Sequence, residues 1–477
     1  MDTELPPGQP MHFYAFEEAI YEVYLHEPPS GEPAAPEALI QDLWRMQQFD
    51  RSALRTAAGE PLTVLDTGAF NQDGGPDFRN ARLRIGGQVW CGDVEIHTCS
   101  NGWTAHNHHL DTRYNSVVLH VVLQADLTTN SLRRQDGTAI PELVLAPYLT
   151  ASLRGLIHAF HTRPPGTIPC GKGWRRAPAD IRHELIEDLA LERLREKSAR
   201  LASAFLLRPD LEELLYELVM TGLGYAKNAE AMLNLGSRIP LRLARSIADP
   251  LDLEALFLGV AGLLPEPAGL LQADRSTSDY AVGLRDRYAR LNARLNVPPM
   301  QRESWQFFRL RPANFPPLRI AQAAALIAPT GFLSRDPLGQ ITAALAGHDP
   351  ARAVRRLLAA EPGPFWQTHV RLDKTSKPHA AAIGAARADE LIINAVLPVA
   401  ILHAEHSADP ALETAVIDVL RLLPPEKDEV VRRFGGLGTR PRDALQSQGL
   451  HQLYRTRCRQ AHCLTCPVGR HLLSEKS

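Results

Sequence analysis

Residues 74–97 read GGPDFRNARLRIGGQVWCGDVEIH, and the pattern in this stretch decides the fold. A turn ends in Pro76-Asp77, and about one hairpin later a strand carries Glu95 and His97. In ARLRI, Ala81, Leu83 and Ile85 alternate with Arg82 and Arg84. In VWCGDVEIH, Trp90, Val94 and Ile96 alternate with Asp93, Glu95 and His97. Period-two alternation of this kind predicts half-buried strands. Residues i and i+2 of a strand share a face, so Glu95 and His97 project together. Asp77, at a Gly-Pro turn, can swing its carboxylate back toward them.

The pattern continues on both sides. PEALIQDLWRMQQF predicts a helix over about 36–48, with Pro36 suited to a first turn. SVVLHVVL, apolar on both faces except for His120 once past Ser116, reads as a central strand. A helix leading into a small mixed sheet gives an α+β domain over 36–177. Before it, residues 1–35 hold the amphipathic segment YAFEEAIYEVYL and a Pro/Gly-rich linker. After it, DIRHELIEDLALERLREKSARLASAF, LEELLYELVMTGLGYA, LRIAQAAALIA and DELIINAVLPVAILHAEH show helical spacing, so 178–445 is expected to be a large all-α domain. Residues 446–477 form a short cysteine-containing tail.

Composition sets outer bounds. The 477 residues, 44% of them hydrophobic, suffice for two or three domains with cores of their own. Charge is balanced at 52 basic against 54 acidic residues and points to no partner. Only seven of those 52 are lysines. An arginine excess fits bidentate phosphate contacts and fits a GC-rich genome equally. No signal-peptide pattern or apolar run of membrane-spanning length is present, and six cysteines are too few for a disulfide scaffold. A soluble cytoplasmic protein with no membrane partner is expected. There is no P-loop, dinucleotide fingerprint or nucleophile elbow.

Three groups of residues carry chemistry. Asp77 and Glu95, meeting from separate segments, suit Mg²⁺ or Mn²⁺, which prefer oxygen ligands; such an ion orients a water and absorbs charge on a phosphate. WTAHNHHLDTRYNSVVLH places His106, His108, His109, Asp111 and His120 close together. His106 and His108 form an H-x-H pair able to grip a second metal or a phosphate, while a buried His120 needs a partner such as Asp111 or Tyr114. The bland reading is a polar network that holds a loop to the sheet. Third, Cys458, Cys463 and Cys466 form a C-x4-C-x2-C array, a strong metal-site signal, and Cys170 is the best fourth ligand. Eight arginines between 431 and 470, Arg455, Arg457 and Arg459 among them, stand against one acid, Asp443, a footprint suited to a nucleic-acid backbone.

Pro76-Asp77 followed by Glu95-x-His97 resembles the PD-(D/E)XK nuclease superfamily, whose fold is restriction-endonuclease-like. The resemblance implies that Asp77 and Glu95 hold the ion, with His97 standing where the superfamily has lysine. It also implies a supporting glutamate on the preceding helix, best matched by Glu37, then by Glu17 or Glu18. One cysteine after the sheet plus three near the C-terminus is similar to the split ligation of iron–sulfur nucleases in that superfamily. That implies a [4Fe–4S] cluster on Cys170, Cys458, Cys463 and Cys466, with structural Zn²⁺ as the alternative. GPDF, GDVEIH, WTAHNHHLDTRYNSVVLHVV, FRLRPANFPPLRIAQ and the C-terminal cysteines are together similar to a bacterial domain-of-unknown-function family, which implies no activity. The expectation is a metal-dependent nuclease hydrolysing phosphodiester bonds in DNA rather than RNA, with a protein partner for any strand separation. The alternatives are a catalytically silent binding module on the same fold and a His-rich zinc hydrolase.

Overall fold

The computed structural model describes residues 35–474 apart from 130, 164 and 165; the N-terminal segment with Glu17 and Glu18 lies outside them. The chain divides into a sheet unit, up to Pro169 together with the residues from Gln460, and a helical unit, Cys170–Arg459.

Among the described residues of the sheet unit, six strands form one mixed sheet: β1 (Leu62–Asp66), β2 (Ala69–Phe70), β3 (Phe78–Ile85), β4 (Gln88–Cys99), β5 (Val117–Gln124) and β6 (Glu142–Val144). The order is β1-β3-β4-β5-β6, with β2 paired to β3. β3 runs antiparallel to β1 and β4, whereas β4, β5 and β6 are mutually parallel neighbours. A parallel pair needs a crossover, and residues 100–116 supply it. Helix α1 (Glu37–Met46) precedes the sheet and buries Leu39, Ile40, Leu43 and Trp44, a helical stripe. These pack on Phe78, Val94, Ile96, Leu119 and Val121 in one core. Trp44 is fully buried, so Trp44→Ala is expected to cost about 3–5 kcal/mol.

The second half of β4 departs from simple alternation. Glu95 and His97 are 5% and 2% exposed, not on an open polar face. The crossover lies over them: it contains the one-turn helix α2 (Gly102–Ala105), and its Trp103 and Tyr114 cluster with Val117, Leu132 and Ile140. Helix α3 (Leu153–His161) adds partly buried Leu153, Leu156, Ile157 and Phe160 to the main core.

The helical unit begins with the 29-residue α4 (Ala179–Leu207). The expected LEELLYELVMTGLGYA helix runs as Leu211–Leu223 and restarts at Tyr225–Arg238, because Tyr225 adopts a left-handed backbone, φ 53°. The core centres on Pro250–Val260, where every residue from Leu253 on is buried. The expected tail at 446–477 needs correction. Ala444–Leu453 is a helix of this unit, with Leu445, Leu450 and Leu453 buried, and only the residues from Gln460 group with the sheet.

Candidate metal centre

Sheet register assembles the site. Phe78 pairs with Val94, which puts Asp77, one residue earlier, opposite Glu95. Glu95 pairs with His120 on β5, and His120 pairs with Glu142 on β6. Cross-strand partners share a face, so Asp77, Glu95, His120 and Glu142 form a row across four neighbouring strands. His97 follows two residues after Glu95, on the same face.

The row is tied by hydrogen bonds. The Asp77 N–H donates to Oε2 of Glu95 at 3.0 Å. The Asp77 carboxylate accepts from the Ile96 N–H at 3.0 Å and from the Gln41 side chain at 2.9 Å. Gln41 lies one helical turn after Glu37 on α1, so both face the same corner. Nδ1 of His97 lies 2.8 Å from Nε2 of His120, whose Nδ1 lies 3.0 Å from Oε2 of Glu142. The Ser100 hydroxyl donates to the other Glu142 oxygen at 3.0 Å.

The crossover brings two more imidazoles. Asn107, at φ 63°, turns the chain sharply between His106 and His108; asparagine tolerates that left-handed region. Nδ1 of His106 lies 3.0 Å from Nε2 of His97. Nε2 of His108 lies 3.1 Å from Oε1 of Glu95 but outside hydrogen-bonding geometry, which leaves this buried nitrogen without a hydrogen-bond partner. Tyr114 stacks on His108 with ring centroids 3.8 Å apart. Gly102 permits the close approach: a Cβ there would lie 2.6 Å from the His97 ring. One ligand atom from each of His97, His106 and His108 fits within 4.8 Å of the others.

Burial dominates the electrostatics. Asp77 is pushed up to about 7, first by desolvation, then by Glu95 and, further down, Glu37, against the pull of Gln41 and the Ile96 N–H. Desolvation pushes Glu95 up to about 8, with Glu37 adding to it. Glu37 is itself raised by burial, an effect its imidazole neighbours oppose. His97 falls to about 2, through desolvation and then the imidazoles of His120, His108 and His106. Carboxylates and neutral imidazoles packed this tightly favour protons or a cation in their midst.

The structure brings together Asp77, Glu95, His97, Glu37, His106, His108 and His120. Asp111 stays apart: its carboxylate caps the next turn through the Arg113 N–H and pairs with the Arg113 guanidinium at 2.6 Å. The partner of His120 is therefore Glu142, and Tyr114 serves as a stacking surface. Sequence reading missed Gln41, Glu142 and Gly102; the acid in TAIPELVLAP was the available signal for Glu142. Of the cysteines expected as ligands, Cys463 and Cys466 belong to the sheet unit, Cys170 and Cys458 to the helical unit. Arg455 is engaged by Glu196 of α4 and by Gln452.

No curated protein and no solved structure matches the chain. One family model does, over residues 37–429, and that span takes in Glu37, the whole sheet row and the histidine crossover. The chain belongs to the family described as Protein of unknown function (DUF2851).

Proposed function

We propose that the sheet unit is a metal-dependent hydrolase of phosphodiester bonds, acting on DNA rather than RNA. The observation that carries this reading is the meeting of Asp77 and Glu95, 18 residues apart in the chain, through a 3.0 Å hydrogen bond, with Glu37 in the same field. Mg²⁺ or Mn²⁺ fits this donor set; once bound, it acts as a Lewis acid and lowers the pKa of its water. Asp77 and Glu95 hold the ion, and Glu37 supports it from α1. His97 stands in the lysine position of the PD-(D/E)XK pattern. Neutral because of its burial, it positions water or phosphate and supplies no fixed positive charge. The helical unit provides the surface for nucleic acid, with Arg457 and Arg459 as backbone contacts.

Labelled DNA and RNA incubated with the purified chain and Mn²⁺ test this, beside Asp77→Asn. Metal-dependent cleavage lost in the variant is the expected result. Equal cleavage by both proteins removes the assignment, and salt-sensitive binding without turnover favours a silent binding module. The three imidazoles favour a second reading, a zinc hydrolase, which predicts activity with Zn²⁺ and none with Mg²⁺. A [4Fe–4S] cluster on Cys170, Cys458, Cys463 and Cys466, which the resemblance to iron–sulfur nucleases implies, or zinc in its place, is a further part of the proposal. Absorption near ~400 nm with about four irons per chain supports the cluster, and a colourless zinc protein supports the alternative.

A further inference from the structure

We propose that His97, His106 and His108, together with Glu95, form an imidazole-rich site for a borderline divalent transition-metal ion such as Zn²⁺ or Co²⁺, selective against Mg²⁺. His120 and Glu142 act as positioning residues that fix which nitrogen of His97 faces the ion. The use of the ion in hydrolysis rests on the reading above; the site itself does not.

The hydrogen-bond chain carries the inference. A carboxylate only accepts, so Glu142, 3.0 Å from Nδ1 of His120, places the His120 proton on that nitrogen. The Ser100 hydroxyl, donating to the second oxygen, keeps Glu142 oriented. Nε2 of a neutral His120 is then a lone pair. It accepts from the His97 Nδ1–H at 2.8 Å. Nε2 of His97 is left as a lone pair aimed at His106, 3.0 Å away, and toward Oε1 of Glu95, 3.8 Å away. Carboxylate–imidazole pairs behind a ligating histidine set its tautomer in this manner; here the relay has two imidazoles in series.

A network that only held the crossover to the sheet would satisfy its buried nitrogens. Nε2 of His108 departs from that: 8% exposed as a residue, it sits 3.1 Å from a Glu95 oxygen with no hydrogen bond. An imidazole nitrogen and a carboxyl oxygen facing one another at that separation without a hydrogen bond suit a shared cation. Three nitrogens and one oxygen match zinc, whereas Mg²⁺ demands oxygen and water ligands.

The test is Co²⁺ titration of the full chain, because Co²⁺ reports its ligands in the visible spectrum and separates a nitrogen/oxygen site from one on cysteine thiolates. One equivalent without a thiolate charge-transfer band is expected, displaced by Zn²⁺ and not by Mg²⁺. His106 is exposed, so His106→Ala should fold, and it should weaken this equivalent by at least about tenfold. Glu142→Gln should weaken it by about 10–100-fold. It should also mix the tautomers seen in the imidazole ¹⁵N shifts of His97 and His120, which loss of packing alone would not do. Unchanged Co²⁺ affinity in His106→Ala, or only thiolate-type spectra, overturns the site; unaltered ¹⁵N shifts in Glu142→Gln overturn the relay. If the equivalent behaves as expected and no phosphodiester is cut, the hydrolase reading fails and the metal site stands.

Discussion

Two buried glutamates invite comparison. Glu95 of the sheet unit is 5% exposed and Glu254 of the helical unit 4%, and burial raises both, to about 8 and about 7. Their neighbours differ. Oε1 of Glu254 accepts from the Tyr280 hydroxyl at 2.7 Å and the Trp366 indole N–H at 3.0 Å, two neutral donors. Glu95 accepts one backbone N–H and otherwise faces Glu37, Asp77 and imidazoles. Burial and a raised pKa therefore do not mark a functional site by themselves. Like charges converging where donors are scarce do, because only a cation or extra protons relieve them.

The largest effects separate the two glutamates. Asp77→Asn removes one member of the acidic pair. It should reduce metal-dependent cleavage by about 10²–10³-fold, the scale for losing a charge-stabilising group, with no fall in melting temperature, since repulsion is removed as well. A parallel loss of stability would mean that Asp77 is structural like Glu254, and the contrast collapses. Glu254→Ala strands two buried donors and opens a cavity, so it should cost about 2–4 kcal/mol in denaturant unfolding. Cleavage per folded molecule should stay unchanged.

The pH response sharpens the contrast within the helical unit. The folded pKa of Glu254 lies above its ordinary value of 4.5, near 7. The folded state thus holds the proton longer than the unfolded chain, and stability falls as pH rises from about 4.5 through 7. Glu254→Gln should abolish that slope, worth at most on the order of 3 kcal/mol. Lys197 is shifted the opposite way, down to about 7, first by desolvation and then by Arg193. Its unfolded form binds more protons above pH 7, so it makes stability rise from about 7 toward 10.5. Lys197→Met should remove this rise and raise stability at neutral pH. Unfolding free energies between pH 5 and 9 decide both; slopes of the same sign would refute the assignment.

Much of the sheet was legible because its signal is local. Alternation over 81–85 and 89–97 located β3 and β4, and strand period alone put Glu95 and His97 on one face. Glu142 was not legible. It joins the row only because β6 pairs in parallel with β5, and register between distant strands leaves no mark in either segment. Gln41 has the same difficulty, since its bond to Asp77 spans 36 residues. Asp111, six residues before the first apolar position of β5, looked equivalent to its neighbours until Arg113 claimed it.

The smallest expected effect concerns arginine, where a sequence window concealed the partners. Over 431–470 the only acid is Asp443, yet Arg432 and Arg433 pair with Glu429 and Arg455 with Glu196, residues outside that window. A guanidinium already neutralised by a carboxylate displaces fewer counterions from a phosphate backbone. In DNA-binding titrations across salt concentrations, Arg457→Ala and Arg459→Ala should each lower the log–log slope by about 1. Arg455→Ala should change it far less, and its stability by no more than about 1 kcal/mol, because the pair with Glu196 is exposed. An equal change for all three would mean that nucleic acid displaces Glu196. The distinction between paired and unpaired charge that separates Glu254 from Glu95 would then hold in the buried sites and fail at this surface.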